Sequence, residues 1–156
     1  MKTCVIPGSF DPFTLGHRDL VLRASRLFDR VYVAVMVNGE KKGLLDFATR
    51  KAVTEVSCAD IPGVTVITAE GLLCDLCTAL GADAIVKGAR NASDFDYEKS
   101  LADINRRLDA DLETVILPAR SGCECLSSTF AREMIKYGRP LDNILHPDAI
   151  KLLESK

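Results

Sequence analysis

Residues 3–37 read TCVIPGSFDPFTLGHRDLVLRASRLFDRVYVAVMV, an apolar run, a glycine- and proline-bearing loop, an amphipathic stretch and a second apolar run. Thr3 to Ile6 predicts a short buried strand. From Gly16 to Asp29 the apolar positions Leu20, Val21, Ala24, Leu27 and Phe28 recur at helical spacing and predict one buried helix face. Val31 to Val37 is apolar throughout and rich in β-branched residues, as strands covered on both faces are. Two parallel strands cannot be joined by a tight turn, so a strand–loop–helix–strand run is the unit of a parallel sheet.

The alternation continues along the chain. Asn38 to Leu45 reads as a loop, and Asp46 can cap a helix reaching about Cys58. Val64 to Thr68 predicts a third strand. Leu73, Leu76, Cys77 and Leu80 form the next helix face, with Gly81 as its stop. Ala84 to Val86 predicts a fourth strand. Asp94 opens a helix whose apolar stripe is Tyr97, Leu101, Ile104 and Leu108. Leu112 to Leu117 predicts the fifth strand, ended by Pro118; Ser127 or Ser128 caps a helix through Ile135, and a short helix follows Pro147. The expected fold class is α/β: a doubly wound, parallel five-stranded sheet, Rossmann-like. Such sheets bind ligands beyond the carboxyl ends of their strands, which singles out the loops after Ile6, Val37, Thr68, Val86 and Leu117.

Composition limits the function classes. A chain of 156 residues fits a single domain, expected to span residues 1–156. Twenty Lys+Arg against 22 Asp+Glu leave a net charge of −2, which supplies no basic coat for nucleic acid. The apolar runs fall short of a membrane span, and Pro7 and Asp11 break the N-terminal run before a signal peptide could form. The expected compartment is the cytoplasm, where the six cysteines would be reduced thiols. Cys74-x-x-Cys77 falls inside a predicted helix and Cys123-x-Cys125 is too tightly spaced for a zinc knuckle, so no metal ligand set is expected.

The first loop, Gly8-Ser9-Phe10-Asp11-Pro12-Phe13-Thr14-Leu15-Gly16-His17, has the makings of a phosphate site. Gly8 permits close approach of backbone, and Gly16-His17 stands where a helix N-terminus presents free N–H groups. Residue types alone are equally consistent with a capped turn and a surface histidine. The whole string, however, resembles the signature G-[ST]-F-D-P-x-[HT]-x-G-H of the nucleotidyltransferase superfamily, and Thr14 in place of the first histidine resembles its phosphopantetheine adenylyltransferase family. Lys41-Lys42 after the second strand resembles that family's phosphate-gripping lysine, with spacing favouring Lys41. Lys87-Gly88-Ala89-Arg90 and then Asp94-Phe95-Asp96-Tyr97-Glu98 resemble its R-G-x-R and D-[FY]-x-x-E segments, with lysine in place of the first arginine. Lysine keeps the charge but loses the guanidinium fork. Leu126-Ser127-Ser128-Thr129-Phe130-Ala131-Arg132 resembles its closing motif; the preceding Arg120 to Cys125 departs from it.

The resemblance implies an enzyme that joins ATP and 4′-phosphopantetheine to give dephospho-coenzyme A and pyrophosphate, with Mg²⁺ bridging phosphate oxygens. It implies that Ser9 and Lys41 hold the acceptor phosphate and His17 donates to the α-phosphate. Lys87, Arg90 and Arg132 would neutralise pyrophosphate, and Phe10 would abut the nucleotide. Ser9 would serve the nucleotide site too, which Gly88, Ala89, Glu98, Cys123, Glu124, Cys125, Leu126, Ser127, Ser128 and Thr129 would complete, and Lys87 would also serve the acceptor. Leu73, Leu101, Ile104 and Asn105 would line the pantetheine arm, although the three apolar ones also suit plain core packing. A homohexamer is implied as well. The alternatives are a transferase of the same superfamily with another phosphorylated acceptor, such as nicotinate mononucleotide or glycerol phosphate, and a non-catalytic ATP-binding regulatory module.

Overall fold

A computed structural model describes residues 1–37, 39 and 42–156. The elements are β1 (Thr3–Gly8), α1 (Leu15–Ala24), β2 (Arg30–Met36), α2 (Phe47–Cys58), β3 (Val64–Ala69), α3 (Leu73–Leu80), β4 (Ala84–Ala89), α4 (Ala92–Leu108), β5 (Glu113–Pro118), α5 (Ser128–Lys136) and α6 (Pro147–Glu154). The five strands form one parallel sheet in the order β3-β2-β1-β4-β5. This is the expected α/β, Rossmann-like architecture.

Period-two alternation sorts the strand side chains between two cores. Cys4 and Ile6 of β1 and Val31, Val33 and Val35 of β2 pack with Val21 of α1, Val53 of α2, Ala131 of α5 and Ala149 of α6. On the other face Val5, Ala34 and Ile85 pack with Cys74 and Cys77 of α3 and with Leu112. The apolar run of β2 is therefore buried from both sides. Cys4, Cys58, Cys74 and Cys77 are buried as small apolar groups. Burial pushes the Cys4 and Cys58 thiols up to about 12 and that of Cys77 up to about 11.

The helix ends follow local chemistry. Asp46 accepts from the Thr49 amide at 2.7 Å and starts α2, and Gly81 stops α3 in the left-handed region at φ 61°. His146 caps α6, its Nδ1 accepting from the Asp148 amide, with Pro147 in the first turn.

Several boundaries differ from the sequence reading. α1 ends at Ala24 because Ser25 closes it, its hydroxyl donating to the Leu22 carbonyl; Leu27 then lies beyond the helix, 61% exposed. α4 starts at Ala92, since Asn91 rather than a later residue caps it by accepting from the Asp94 amide. β4 runs three residues past Val86, with Lys87, Gly88 and Ala89 in register with Ile116, Leu117 and Pro118 of β5. A Lys-Gly pair reads as a break, but ladder bonds are backbone bonds and a parallel neighbour can extend them.

The apolar stripe of α4 is the largest departure. No residue of α4 is buried, and Tyr97, Ile104 and Leu108 are 63%, 54% and 56% exposed. A 17-residue helix is about 25 Å long, whereas the six-residue strands β4 and β5 beneath it reach only about 20 Å. Helical periodicity reveals an apolar face without revealing what covers it.

Candidate active site

β1 and β4 lie side by side, but the chain leaves β1 toward β2 and leaves β4 toward β5, on opposite sides. Their carboxyl ends form the switch point at which such sheets open a crevice. A cavity of about 410 Å³ opens there. It is lined by Gly8, Ser9 and Phe10 after β1, by Gly16, His17 and Leu20 of α1, and by Lys87, Gly88, Ala89 and Arg90 around the end of β4. Glu98 of α4, Cys123, and Leu126, Ser127, Ser128 and Thr129 at the start of α5 also line it, as do Asp19 and Arg23 of α1 and Asp94 and Tyr97 of α4.

The first loop is built around an aromatic cluster. Phe10 has φ 46°, a left-handed conformation rare for a bulky residue, and is only 5% exposed. Its ring packs against Phe13 at 5.2 Å and edge-on against His17 at 5.1 Å. A Cβ on Gly8 would stand 2.8 Å from that ring, so the ring's position requires glycine. Phe10 touches the cavity but chiefly supports His17 from below.

Thr14 caps α1 and fixes the imidazole. Its backbone N–H donates to His17 Nδ1 at 2.9 Å, and its hydroxyl donates to the Leu126 carbonyl at 2.9 Å. With Nδ1 accepting, the proton of the neutral ring belongs on Nε2. Burial, with Arg90 and Lys87 nearby, lowers the His17 pKa to about 4. His17 is therefore a neutral donor at pH 7.

Lys87 and Arg90 each face a carboxylate of α4, whereas Arg23, which also lines the cavity, pairs with Asp19 of its own helix at 3.4 Å. Lys87 Nζ lies 3.3 Å from Glu98 Oε1, and Arg90 Nε lies 3.1 Å from Asp94 Oδ2. Asp94 also accepts from the Arg90 amide at 3.0 Å. Asp94 and Glu98 are four residues apart and so share one face of α4. Glu98 is thus the counter-ion of Lys87.

The remaining expected residues lie elsewhere. Arg132 donates to the Asp11 carbonyl at 2.9 Å and to the Thr129 hydroxyl at 3.1 Å, and does not line the cavity. Glu124 folds back to accept from the Gly122 amide, and Cys125 is exposed; neither lines the cavity. Leu73, Leu101, Ile104 and Asn105 also lie outside its lining, on the α3 and α4 side of the sheet. Leu73 packs on the second core, whereas Leu101 and Asn105 are half-buried and Ile104 is exposed. Lys41 falls outside the described residues.

A family model described as cytidylyltransferase-like matches residues 5–134. A phosphopantetheine adenylyltransferase of Latilactobacillus sakei is 42% identical over 156 residues, covering 99% of this chain and 94% of its own. One of Flavobacterium psychrophilum is 41% identical over 152 residues, covering 97% and 99%. The chain belongs to the phosphopantetheine adenylyltransferase family. Among solved structures, the Plasmodium falciparum nicotinic acid mononucleotide adenylyltransferase complexed with NaAD superposes with a TM-score of 0.72. It is 16% identical, with 99% of this chain and 96% of that one covered, a likeness of fold.

In this member of the phosphopantetheine adenylyltransferases, sequence reasoning missed Thr14 as the link between the first and closing motifs. It also missed Asp94 as the partner of Arg90, and Asp11. The string Ser-Asp-Phe before Glu98 marked a helix start, and an acid four residues from Arg90 on such a start was the available signal. Nothing local marked Asp11, whose contacts lie more than thirty residues away.

The lowered His17 pKa has a direct readout. Unfolded, the imidazole takes a proton near 6.5; folded, only near 4. The unfolded chain binds more protons in that interval, so this contribution to stability is present above 6.5 and is lost as pH falls toward 4. The chain has two histidines, His17 and His146, so a histidine NMR titration is simple to assign. His17 should show no titration between pH 6 and 7 and should keep its proton on Nε2. A midpoint in that interval would contradict the buried neutral donor.

Proposed function

We propose that this chain, as a single nucleotidyltransferase domain, transfers the adenylyl group of ATP to 4′-phosphopantetheine, releasing pyrophosphate and forming dephospho-coenzyme A. The observation that carries the reading is a neutral His17 with Nε2–H held at the switch-point cavity beside Lys87 and Arg90.

The acceptor phosphate is already an anion and needs no base. One of its oxygens attacks the α-phosphorus, a new P–O bond forms, and the bond from the α-phosphorus to the bridging oxygen of pyrophosphate breaks. The barrier then yields to positioning and charge stabilisation. Ser9, at the carboxyl end of β1, and Lys41 hold the acceptor phosphate in line. His17 donates through Nε2 to a non-bridging α-oxygen as charge builds. Lys87 and Arg90 leave their α4 carboxylates to meet the departing pyrophosphate, with Gly88 and Ala89 letting backbone approach. The N-terminus of α5, capped by Ser127 and flanked by Ser128 and Thr129, supplies first-turn amides. Arg132 acts by bracing Asp11 and Thr129.

Mg²⁺, where used, supplies charge neutralisation on the nucleotide's phosphate oxygens. Among the described residues no group of three or more His, Cys, Asp or Glu gathers, and Asp94, Glu98 and Asp19 are each engaged by a cation. The residues therefore fit an ion carried mostly by phosphate and water. The pantetheine arm would leave the cavity along α4, past Leu73, Leu101, Ile104 and Asn105. The exposed apolar face of α4 supports a homo-oligomer, the hexamer that the resemblance implies. No helix of the described residues is long and apolar enough to cross a membrane, which agrees with a cytoplasmic enzyme.

Pyrophosphate release from ATP tests the reading, with phosphopantetheine, nicotinate mononucleotide and glycerol phosphate offered in parallel. Turnover is expected with phosphopantetheine alone. Preference for another acceptor would move the chain to a different branch of the superfamily, and ATP binding without any turnover would make it a regulatory module.

A further inference from the structure

Arg50 is charged, stands in the first turn of α2 outside the cavity lining, and is only 5% exposed. Its guanidinium ties the loop after β1 to the segment before α2. Nε donates to the Leu45 carbonyl at 2.8 Å, Nη1 reaches the Ser9 carbonyl at 3.4 Å, and Nε faces Asp11 Oδ1 at 3.5 Å. The group also stacks on the Phe47 ring at 4.6 Å. Asp11, 5% exposed, accepts from the amides of both Leu44 and Leu45 at 2.8 Å. A Cβ on Gly43 would overlap Arg50 Nη2, so glycine is needed for this approach.

A buried ion pair adds little net stability over apolar residues of the same volume, because both charges lose their water. What such a pair does supply is a fixed geometry with many directional bonds. Here the geometry concerns the loop after β1, which carries Ser9, and the segment Gly43–Leu45. Ser9, assigned to the acceptor phosphate, thus sits in a loop held at its own carbonyl and at Asp11 by one guanidinium.

We propose that Arg50 is a positioning residue for the acceptor phosphate. It acts through the Ser9 and Leu45 carbonyls and, by way of Asp11, on the Leu44 and Leu45 amides, and so fixes the loop that carries Ser9 against the segment Gly43–Leu45. This rests on the acceptor reading above. Among the described residues Arg50 bonds directly to none of His17, Arg90 or the first turn of α5, whereas it bonds the Ser9 carbonyl, so the two substrates should respond differently.

Two variants of the full chain disturb this knot by unrelated routes. Arg50→Lys keeps a charge for Asp11 but cannot bond Leu45, Ser9 and Asp11 together. Gly43→Ala pushes the guanidinium aside without removing it. In each, kcat/KM for phosphopantetheine should fall roughly 10–100-fold while the Kd for MgATP, measured by titration calorimetry, stays within about twofold. Amide exchange at Leu44 and Leu45 should quicken in both, a readout that needs no activity. Equal losses toward both substrates, unchanged acceptor kinetics in a folded variant, or unchanged exchange would overturn the proposal. A wild-type chain without pyrophosphate release would sink the acceptor reading itself.

Discussion

His17→Ala should lower kcat about 10²–10³-fold while leaving the Kd for ATP nearly unchanged, because the Nε2–H bond is worth most when charge accumulates on the α-phosphate. Three observations carry the expectation. The Thr14 amide occupies Nδ1 and so assigns the proton to Nε2. The lowered pKa keeps the ring neutral at working pH, so it contributes a directed donor rather than a full charge. Phe10 and Phe13, with centroids 5.1 and 5.3 Å from the imidazole, hold the ring in place. A loss confined to KM for ATP would mean that His17 binds the ground state and transition state equally. Pre-steady-state quench, separating chemistry from product release, is the measurement. Near-normal turnover would remove His17 from the mechanism.

Asp11→Ala should be the most damaging single change to stability, costing about 3–5 kcal/mol, because it leaves the Arg50 guanidinium buried without its counter-charge. It also strips two amides, those of Leu44 and Leu45, of their acceptors. For a chain of this size the loss corresponds to a fall in Tm of roughly 10 °C. The sign of the second step is the sharper test. Adding Arg50→Met to Asp11→Ala removes the orphaned charge, so the double variant should be more stable than Asp11→Ala alone. Chemical denaturation of the four species in this cycle gives the coupling. If the double variant is less stable than the single one, the guanidinium is satisfied without Asp11 and the ion-pair account fails.

The legible part of this protein was the part written in short-range chemistry. Residues 3–37 pass from one continuous apolar run through an apolar period of 3.6 to another continuous run, and that is enough for a strand–helix–strand unit. Asp46, Gly81 and Pro147 mark helix ends because capping involves residues three or four apart. The site loops were legible for a related reason: a parallel α/β sheet binds ligand beyond the carboxyl ends of its strands, which marked the loops, while the resemblance of their motifs picked out Ser9, His17, Lys87 and Arg90 within them.

What the fold added depends on contacts between distant residues. Thr14 meets Leu126 across more than a hundred positions, and Asp11 meets Leu44, Leu45 and Arg50 across more than thirty. Burial and pairing set the protonation of His17, the counter-ion of Lys87 and the contacts of Arg132, none of which has a local signature, whereas Asp94, four residues from Arg90, had one. The α4 stripe makes the division plain: its spacing declares an apolar face, yet only the tertiary structure shows Tyr97, Ile104 and Leu108 uncovered. Composition leaves no net positive charge for two polyanionic substrates; the tertiary arrangement puts His17, Lys87 and Arg90 around one cavity and ties the loop beside it to Arg50.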